Sequence, residues 1–223
     1  MTIVYTTIFG GCDSLKPAPA GADRCVCFVD DVSRYPDAKG WELVAIGVLD
    51  ARREAWHLRA VSHRLFPEAA RTVWVDASFT ITDLPRILRD AGKAPIAALR
   101  HHERHSCYDE AREIVKVGQA TKSDVWPQMH KYKERRFRPE HLSISCILVR
   151  ANTQKVTDFN ETWDTQIRTY RGDNTQLSLD YSAWVNGLRI EALQGSRLHN
   201  PYGKHAHRDH KRRRKPYDTE VAA

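Results

Sequence analysis

Asp76 is the residue of this chain whose position suggests chemistry most directly, because it follows at once on an apolar, β-branched segment. Residues Thr72 to Val75 have the composition of a buried strand, and Asp76, Ala77 and Ser78 come immediately after it. A carboxylate at the end of a strand can hold a divalent cation, and that cation can neutralise a diphosphate. The alternative for Asp76 is the cap of a helix or turn.

Two further polar groups follow apolar segments in the same way. Asp30 and Asp31 end a short apolar run, and their carboxylates can accept hydrogen bonds from a base or a ribose, although a solvated turn explains them equally well. The segment from His101 to His105 follows another apolar run, and its Arg104 can pair with a phosphate or a carboxylate. A solvated polar loop is the alternative for this cluster.

The elements that must position these residues alternate between strand and helix in the first half of the chain. This alternation predicts an α/β domain with a mostly parallel central sheet flanked by helices. Because ligands of open α/β sheets bind at the carboxyl ends of the strands, we expect Gly10, Asp30 and Asp76 at one edge. The predicted strands cover residues 3–9, 25–29, 41–49, 72–75, 95–99, 141–149 and 188–193. Predicted helices start at the caps Asp50, Ser123 and Thr153, and others cover residues 83–88, 108–117 and 177–184.

Basic residues are concentrated near the C-terminus. The formal net charge is +7, and residues 204–215 hold seven Lys or Arg against one Asp, which leaves the rest of the chain near +1. A run of like charges repels itself, so we predict a single domain over residues 1–200 and a flexible basic tail over residues 201–223. Such a tail can attract a polyanion such as DNA through counterion release, or it can serve only to keep the protein soluble.

Composition and missing motifs exclude several classes of protein. The chain is 41% hydrophobic, and no stretch approaches the ~20 apolar residues of a membrane-spanning helix. Six Trp, eight Tyr and six Phe are too many aromatic residues for a disordered chain. The sequence has no Gly-x-Gly-x-x-Gly, no P-loop and no Gly-x-Ser-x-Gly, so dinucleotide, Walker-type and nucleophile-elbow sites are unsupported.

Cysteine usage points to a reducing compartment. The five cysteines are odd in number, scattered, and without a Cys-x-x-Cys pair, so we expect reduced, structural thiols. The N-terminal segment lacks the basic region and apolar run of a signal peptide. We therefore expect a cytoplasmic protein, in the host cytoplasm if the source is a virus.

The order of short motifs carries more information than any one of them. In that order the chain resembles the glycosyltransferase-like family first catalogued as a domain of unknown function, whose members occur in plant mucilage-related proteins and in bacterial polysaccharide loci. The resemblance runs from Ile3 to Ala192. It rests on Tyr5 to Asp13, Cys27 to Asp30, Arg59 to Pro67, Val73 to Asp76, His101 to Arg104, Tyr108 to Ala111, Gln128 with Met129 and Tyr132, Leu148 to Arg150, Trp163, and Gln176 to Ser178.

The resemblance implies a GT-A fold, a nucleotide-sugar donor such as a UDP-sugar, and a divalent metal, Mn²⁺ or Mg²⁺. It implies that Asp76 binds the metal. It also implies that Arg59, which stands where the family usually has a lysine, faces the phosphates. It places beside the nucleotide the residues Thr6, Thr7, Gly10 and Asp30. It places along the sugar or acceptor cleft the residues His101, Arg104, Tyr108 and Glu110, with Gln176 in the family's Asp-Gln-x-Ser motif.

Two positions depart from the family's pattern. Ser78 stands where nucleotide-sugar transferases usually have the second acidic residue of Asp-x-Asp, so the metal is expected to be shared with a late histidine such as His199. Thr175 stands where the family has an aspartate before Gln176, and Asp173 can substitute for it only if the loop shifts. The resemblance thus implies catalytic roles for Asp76, Arg104, Asp173 and Gln176.

Two classes of function remain open. The first is a glycosyltransferase that moves a hexosyl or pentosyl group from a nucleotide sugar to an acceptor hydroxyl with help from the metal. Its acceptor is either a saccharide or a hydroxymethylated DNA base, as in some bacterial viruses, with the basic tail on the duplex and the base flipped out. The second is a non-catalytic nucleic-acid-binding protein on a degenerate transferase scaffold.

Overall fold

A computed structural model describes residues 1–172 and 175–205 of the chain. Within these ranges nine strands and seven α-helices follow one another in one α/β domain. The strands are β1 (Thr2–Ile8), β2 (Arg24–Val29), β3 (Glu42–Ala45), β4 (Arg71–Val75), β5 (Phe79–Ile81), β6 (Ile96–Arg100), β7 (Ser143–Ala151), β8 (Ile190–Ala192) and β9 (Gly203–His205). The helices are α1 (Ala51–Ala60), α2 (Ser62–Leu65), α3 (Leu84–Ala91), α4 (Cys107–Lys116), α5 (Lys122–Glu134), α6 (Gln154–Thr169) and α7 (Gln176–Val185).

Seven of the described strands form one central sheet, in the order β3-β2-β1-β4-β7-β6-β8. Strands β1 to β4 pair in parallel, whereas β7 runs antiparallel to both of its neighbours, β4 and β6. The carboxyl ends of β1, β2, β4 and β6 therefore lie at one edge, together with the amino end of β7. The predicted mostly parallel α/β sheet is confirmed, and this edge is where a ligand is expected.

Local signals in the sequence explain where the helices begin. The predicted caps are confirmed for α1, where Asp50 accepts from two backbone N–H groups, and for α6, where Thr153 accepts from one. The predicted cap of α5 is wrong by two residues, because Thr121 and Asp124 form a capping box there instead of Ser123. The side chain of Asp50 thus fixes the residue at which α1 begins.

The central sheet separates two apolar layers. Tyr5 and Trp74 face a layer covered by α1 and α6, and Val4 and Val73 face a layer covered by α3. Strand β7 is buried on both faces along almost its whole length, which explains its continuous apolar sequence. Among the described helices, none is long and apolar enough to cross a membrane.

Strand β9 extends the folded part past the predicted boundary at residue 200. It pairs with β5, and the buried Tyr202 just before it donates its hydroxyl to Asp90 at 2.9 Å. A Cβ on Gly203 would stand 2.2 Å from the carbonyl oxygen of Thr80, so only glycine fits this pairing. The described residues end at His205, and residues 206–223, with most of the predicted basic tail, lie outside them.

Candidate active site

The first of two clefts at the carboxyl edge lies between helix α1 and the ends of β1 and β4. Its volume is about 390 Å³, which suits a small ligand. Thr7, at the end of β1, and Asp76, directly after β4, line one side of this first cleft. Its other side is helix α1. The residues that line this cleft include Thr7, Asp13, Arg52, Trp56, Arg59 and Asp76.

One face of helix α1 supplies the cationic wall of the first cleft. Arg52, Trp56 and Arg59 are spaced i, i+4 and i+7, so they lie on the same face of an α-helix. The guanidinium of Arg52 lies over the ring of Trp56, 5.1 Å from its centroid. Two guanidinium groups thus flank one indole along the cleft.

Arg59 and Asp76 form an ion pair in the first cleft. Nη2 of Arg59 donates to Oδ1 of Asp76 at 2.8 Å, and Nε1 of Trp74 donates to the same oxygen at 3.0 Å. Trp74 and Asp76 are two residues apart in an extended segment, so their side chains point to the same face. The guanidinium also lies 4.6 Å from the centre of the Trp74 ring. Both charged groups are therefore held in fixed positions before any ligand arrives.

Two hydroxyl groups hold the other side of the Arg59 guanidinium. Nη1 donates to Oγ of Ser145 at 2.8 Å and to Oγ1 of Thr175 at 3.2 Å. Thr175 has a φ of 68°, which is unusual for a β-branched residue, and Trp163 fixes it by donating to its carbonyl oxygen at 3.1 Å. At the position where the resemblance implies an aspartate, this chain thus gives Arg59 a neutral partner.

A buried arginine supports the end of α1 from inside the core. Arg150 is 1% exposed and donates to the carbonyl oxygens of Arg59 at 2.8 Å and of Ala60 at 2.9 Å. It also donates to Oδ1 of Asn160 at 2.6 Å and to the hydroxyl of Tyr5. Burial lowers the pKa of Arg150. Its contacts fix the last turn of α1, from which the Arg59 side chain reaches the cleft.

The second cleft lies at the carboxyl end of β6 and has a volume of about 430 Å³. It adjoins the first cleft through two pairs of consecutive residues. Ile144 lines the second cleft while Ser145 contacts Arg59 of the first, and Gln176 lines the second while Thr175 contacts Arg59. The residues that line this cleft include His101, Arg104, Glu110, Gln176, Arg197 and His205.

His101 is a neutral hydrogen-bond donor in the second cleft. Its Nδ1 accepts from the backbone N–H groups of Glu103 at 3.1 Å and Arg104 at 3.0 Å, so the ring proton lies on Nε2. Burial, and then the charge of Arg104, lower the pKa of His101 to about 4. His101 can therefore donate to a ligand oxygen at neutral pH, and it has no lone pair left to act as a base.

An ion pair joins the start of α4 to the same cleft. Nε of Arg104 donates to Oε2 of Glu110, whose side chain is buried. Tyr108, which the resemblance placed along the cleft, instead donates its hydroxyl to the carbonyl oxygen of Phe137 at 2.9 Å. The cleft thus combines a buried carboxylate with the imidazole of His101 and the amide of Gln176.

Three further predicted site residues, Thr6, Gly10 and Asp30, line neither cleft. Thr6 points to the sheet face opposite Thr7, and its hydroxyl is buried without a partner among the described residues. The backbone N–H of Gly10 donates to Oδ2 of Asp30 at 2.8 Å, at the shared carboxyl edge. Asp173 lies outside the described residues.

The donor set around Asp76 does not fit a divalent cation held by the protein alone. Its Oδ1 already accepts two hydrogen bonds. The second carboxylate of an Asp-x-Asp pair is replaced by Ser78, which is buried. His199, the other predicted ligand, is exposed and lines neither cleft. In residues 1–172 and 175–205, no three His, Cys, Asp or Glu side chains are grouped to hold a metal. The metal at Asp76 and His199 stays a prediction.

Sequence reasoning missed several residues that shape the clefts. Arg52 and Trp56 precede Arg59 at helical spacing, and this i, i+4, i+7 pattern could have assigned them to one wall. Trp74 stands two residues before Asp76, so a shared strand face could have been predicted. No local signal indicates Arg197 or His205. His205 lies at the cleft because β9 pairs with β5, and Arg197 donates to its Nε2 at 3.0 Å.

Comparison with solved structures defines the fold. The chain is similar to the apo structure of the bifunctional glycosyltransferase WbbM, with a TM-score of 0.51 and 14% identity over 87% of this chain. The match covers 38% of the WbbM chain, so this protein spans well under half of that one. Together with the sheet order, the likeness confirms the predicted GT-A-like α/β fold.

The family follows from the sequence itself. Residues 40–186 match the TOD1/MUCI70 glycosyltransferase-like domain, which is more than half of the chain. The chain therefore belongs to the TOD1/MUCI70 glycosyltransferase-like family, as its motifs predicted. No curated protein matches it.

Proposed function

We propose that this protein transfers a sugar from a nucleotide-sugar donor to an acceptor hydroxyl. The observation that carries the proposal is the pair of adjoining clefts at the carboxyl edge of a GT-A-like sheet. One cleft holds an arginine with a fixed position, and the other holds neutral hydrogen-bonding groups and a buried carboxylate. A donor and an acceptor bound in the two clefts would meet at Thr175 and Gln176.

The first cleft suits the donor, because its wall combines guanidinium and indole groups. A guanidinium matches the geometry of phosphate oxygens and can bind two of them at once. The indole of Trp56 offers a flat apolar surface to a base or a sugar ring. The donor's anomeric carbon would then face the second cleft.

In the reaction, the acceptor hydroxyl oxygen attacks the anomeric carbon of the donor. The bond from this carbon to the diphosphate oxygen breaks, and its electron pair leaves with the nucleoside diphosphate. The acceptor proton passes to a carboxylate, for which Glu110 is the candidate among the residues lining the second cleft. Positioning of the two reactants and fixed charges at the leaving group supply most of the rate.

The acceptor is proposed to be a polyanion, either DNA with a modified base or an acidic saccharide. His205 lines the second cleft, and Lys204 beside it is the first cation of the basic segment that continues to residue 215. The basic segment therefore begins at the rim of this cleft. Deleting residues 206–223 keeps β9 and should weaken acceptor binding and flatten its dependence on salt.

A screen for donor turnover tests the proposal. Purified protein is mixed with UDP-, GDP-, CDP-, ADP- and dTDP-sugars, with Mn²⁺ in one series and EDTA in the other, and released nucleoside diphosphate is measured. We expect release from one donor class and its loss in Asp76→Ala. No release from any donor, together with intact binding of nucleic acid, would instead favour the non-catalytic binding protein.

A further inference from the structure

Helix α1 offers two guanidinium groups at the place where the sequence predicted a metal. We propose that Arg52 and Arg59 together neutralise the diphosphate of the donor, and that sugar transfer needs no divalent cation. The proposal rests on the proposed nucleotide-sugar donor and names the groups that bind its charge. It also assigns Arg52 to the site, a residue that the sequence motifs did not single out.

The spacing of the two arginines suits a diphosphate. Residues seven apart on an α-helix are about 10 Å apart along its axis, and an arginine side chain can bridge half of that distance. Both side chains line the first cleft, with Trp56 between them on the same helix face. Two planar guanidinium groups can therefore converge on neighbouring phosphates from one wall, each with two parallel hydrogen bonds.

Arg59 is held in place by groups that leave its charge available. Among residues 1–172 and 175–205, its carboxylate partner is Asp76, and its other hydrogen-bond partners are the hydroxyls of Ser145 and Thr175. Nη2 donates to Asp76, and its second hydrogen has no acceptor within the described ranges, so not all five donors of the guanidinium are used. A donor group fixed before the reaction needs no rearrangement when charge develops on the leaving group.

The charges of the first cleft favour an anion. Its lining includes the cations Arg52 and Arg59 and the carboxylates of Asp76 and Asp13. The Asp13 carboxylate lies 3.6 Å from Nζ of Lys16, so it already has its own counter-ion. With Asp13 paired to Lys16 and Asp76 paired to Arg59, both of these carboxylates are neutralised before a diphosphate binds.

Asp76 acts here as a positioning residue for Arg59. A divalent cation on Asp76 would stand beside a guanidinium that is 2.8 Å from the same carboxylate, and the two cations would repel each other. In the transfer step, the bond between the anomeric carbon and the diphosphate oxygen breaks and its electron pair stays on that oxygen. The two guanidinium charges offset the negative charge that develops there, and the acceptor proton leaves as described above.

Binding of free nucleoside diphosphates tests the proposal without a turnover assay. Calorimetry measures the Kd of UDP, GDP, CDP, ADP and dTDP for the full chain, in excess EDTA and in excess Mn²⁺. We expect one of them to bind equally well in both conditions. Arg52→Gln should weaken it about 10- to 100-fold, as loss of a charged hydrogen-bond donor does. Arg53→Gln is the matched control, since Arg53 is exposed, adjacent in the chain and outside the cleft.

The outcomes separate this proposal from the proposed function. Binding that requires Mn²⁺, or an Arg52→Gln variant that binds like the Arg53→Gln control, overturns the role of the arginines and leaves the nucleotide-sugar donor standing. Absence of binding by all five diphosphates in both conditions overturns the donor itself. Arg59→Lys, which keeps a positive charge beside Asp76, should also weaken binding in EDTA. Its folding is checked separately by thermal unfolding.

Discussion

Replacing the buried Arg150 tests how the end of α1 is held. In Arg150→Met, the carbonyl oxygen of Ala60 and Oδ1 of Asn160 lose their donor, while the carbonyl oxygen of Arg59 keeps the Tyr5 hydroxyl. A buried acceptor left without a partner costs about 1–3 kcal/mol, so the two acceptors together cost about 2–6 kcal/mol. Relief from burying a guanidinium offsets part of this loss. We expect the free energy of unfolding to fall by about 2–4 kcal/mol.

Urea unfolding followed by tryptophan fluorescence measures this change, with Arg53→Met as the control for a surface arginine. The nucleotide affinity should also fall in Arg150→Met at a temperature where the variant is folded, because the backbone of Arg59 is no longer fixed. A loss of stability below about 1 kcal/mol would refute the reasoning, since such a change is typical of a surface substitution. An unchanged nucleotide affinity would refute the link to Arg59.

Three further predictions concern other parts of the structure. Gly203→Ala should break the pairing of β9 with β5, because its Cβ would stand 2.2 Å from a carbonyl oxygen, and a lower melting temperature than for Lys204→Ala would show it. Burial raises the pKa of Asp180 to about 6, so the folded state binds the proton of this carboxyl more tightly than the unfolded state does. The stabilisation that results is present below about pH 4 and is lost as the pH rises from about 4 to 6. The difference in unfolding free energy between wild type and Asp180→Asn should thus fall by about 3 kcal/mol across that window and stay level above it. NMR should show the His101 ring neutral at pH 6 with its proton on Nε2. A titration midpoint near pH 6.5 would contradict the lowering of its pKa by burial.

Much of the fold could be predicted because its signals are local. Apolar runs marked β1, β2 and β4, and side chains that cap helices marked α1 and α6. Thr121 and Ser123 are both good caps, and only the position of Asp124 relative to Thr121 decides between them. The antiparallel direction of β7 has no local signal, because it depends on how a buried strand is inserted between two others.

The site could be predicted only in part, because its contacts join distant residues. The resemblance supplied Arg59 and Asp76 separately, but nothing in the sequence says that they pair. The positive φ of Thr175 cannot be read from its residue type, and it is this conformation that turns the hydroxyl towards Arg59. Once the clefts are known, Arg52 and Trp56 follow from helical spacing alone.

A structure of the protein with its nucleotide sugar bound tests the central claim most directly. We predict that the diphosphate lies in the first cleft, within hydrogen-bonding distance of the Arg59 guanidinium. We also predict that the sugar points across Thr175 towards His101 and Gln176. A nucleotide sugar bound elsewhere on the protein, with the first cleft unchanged and empty, would contradict it.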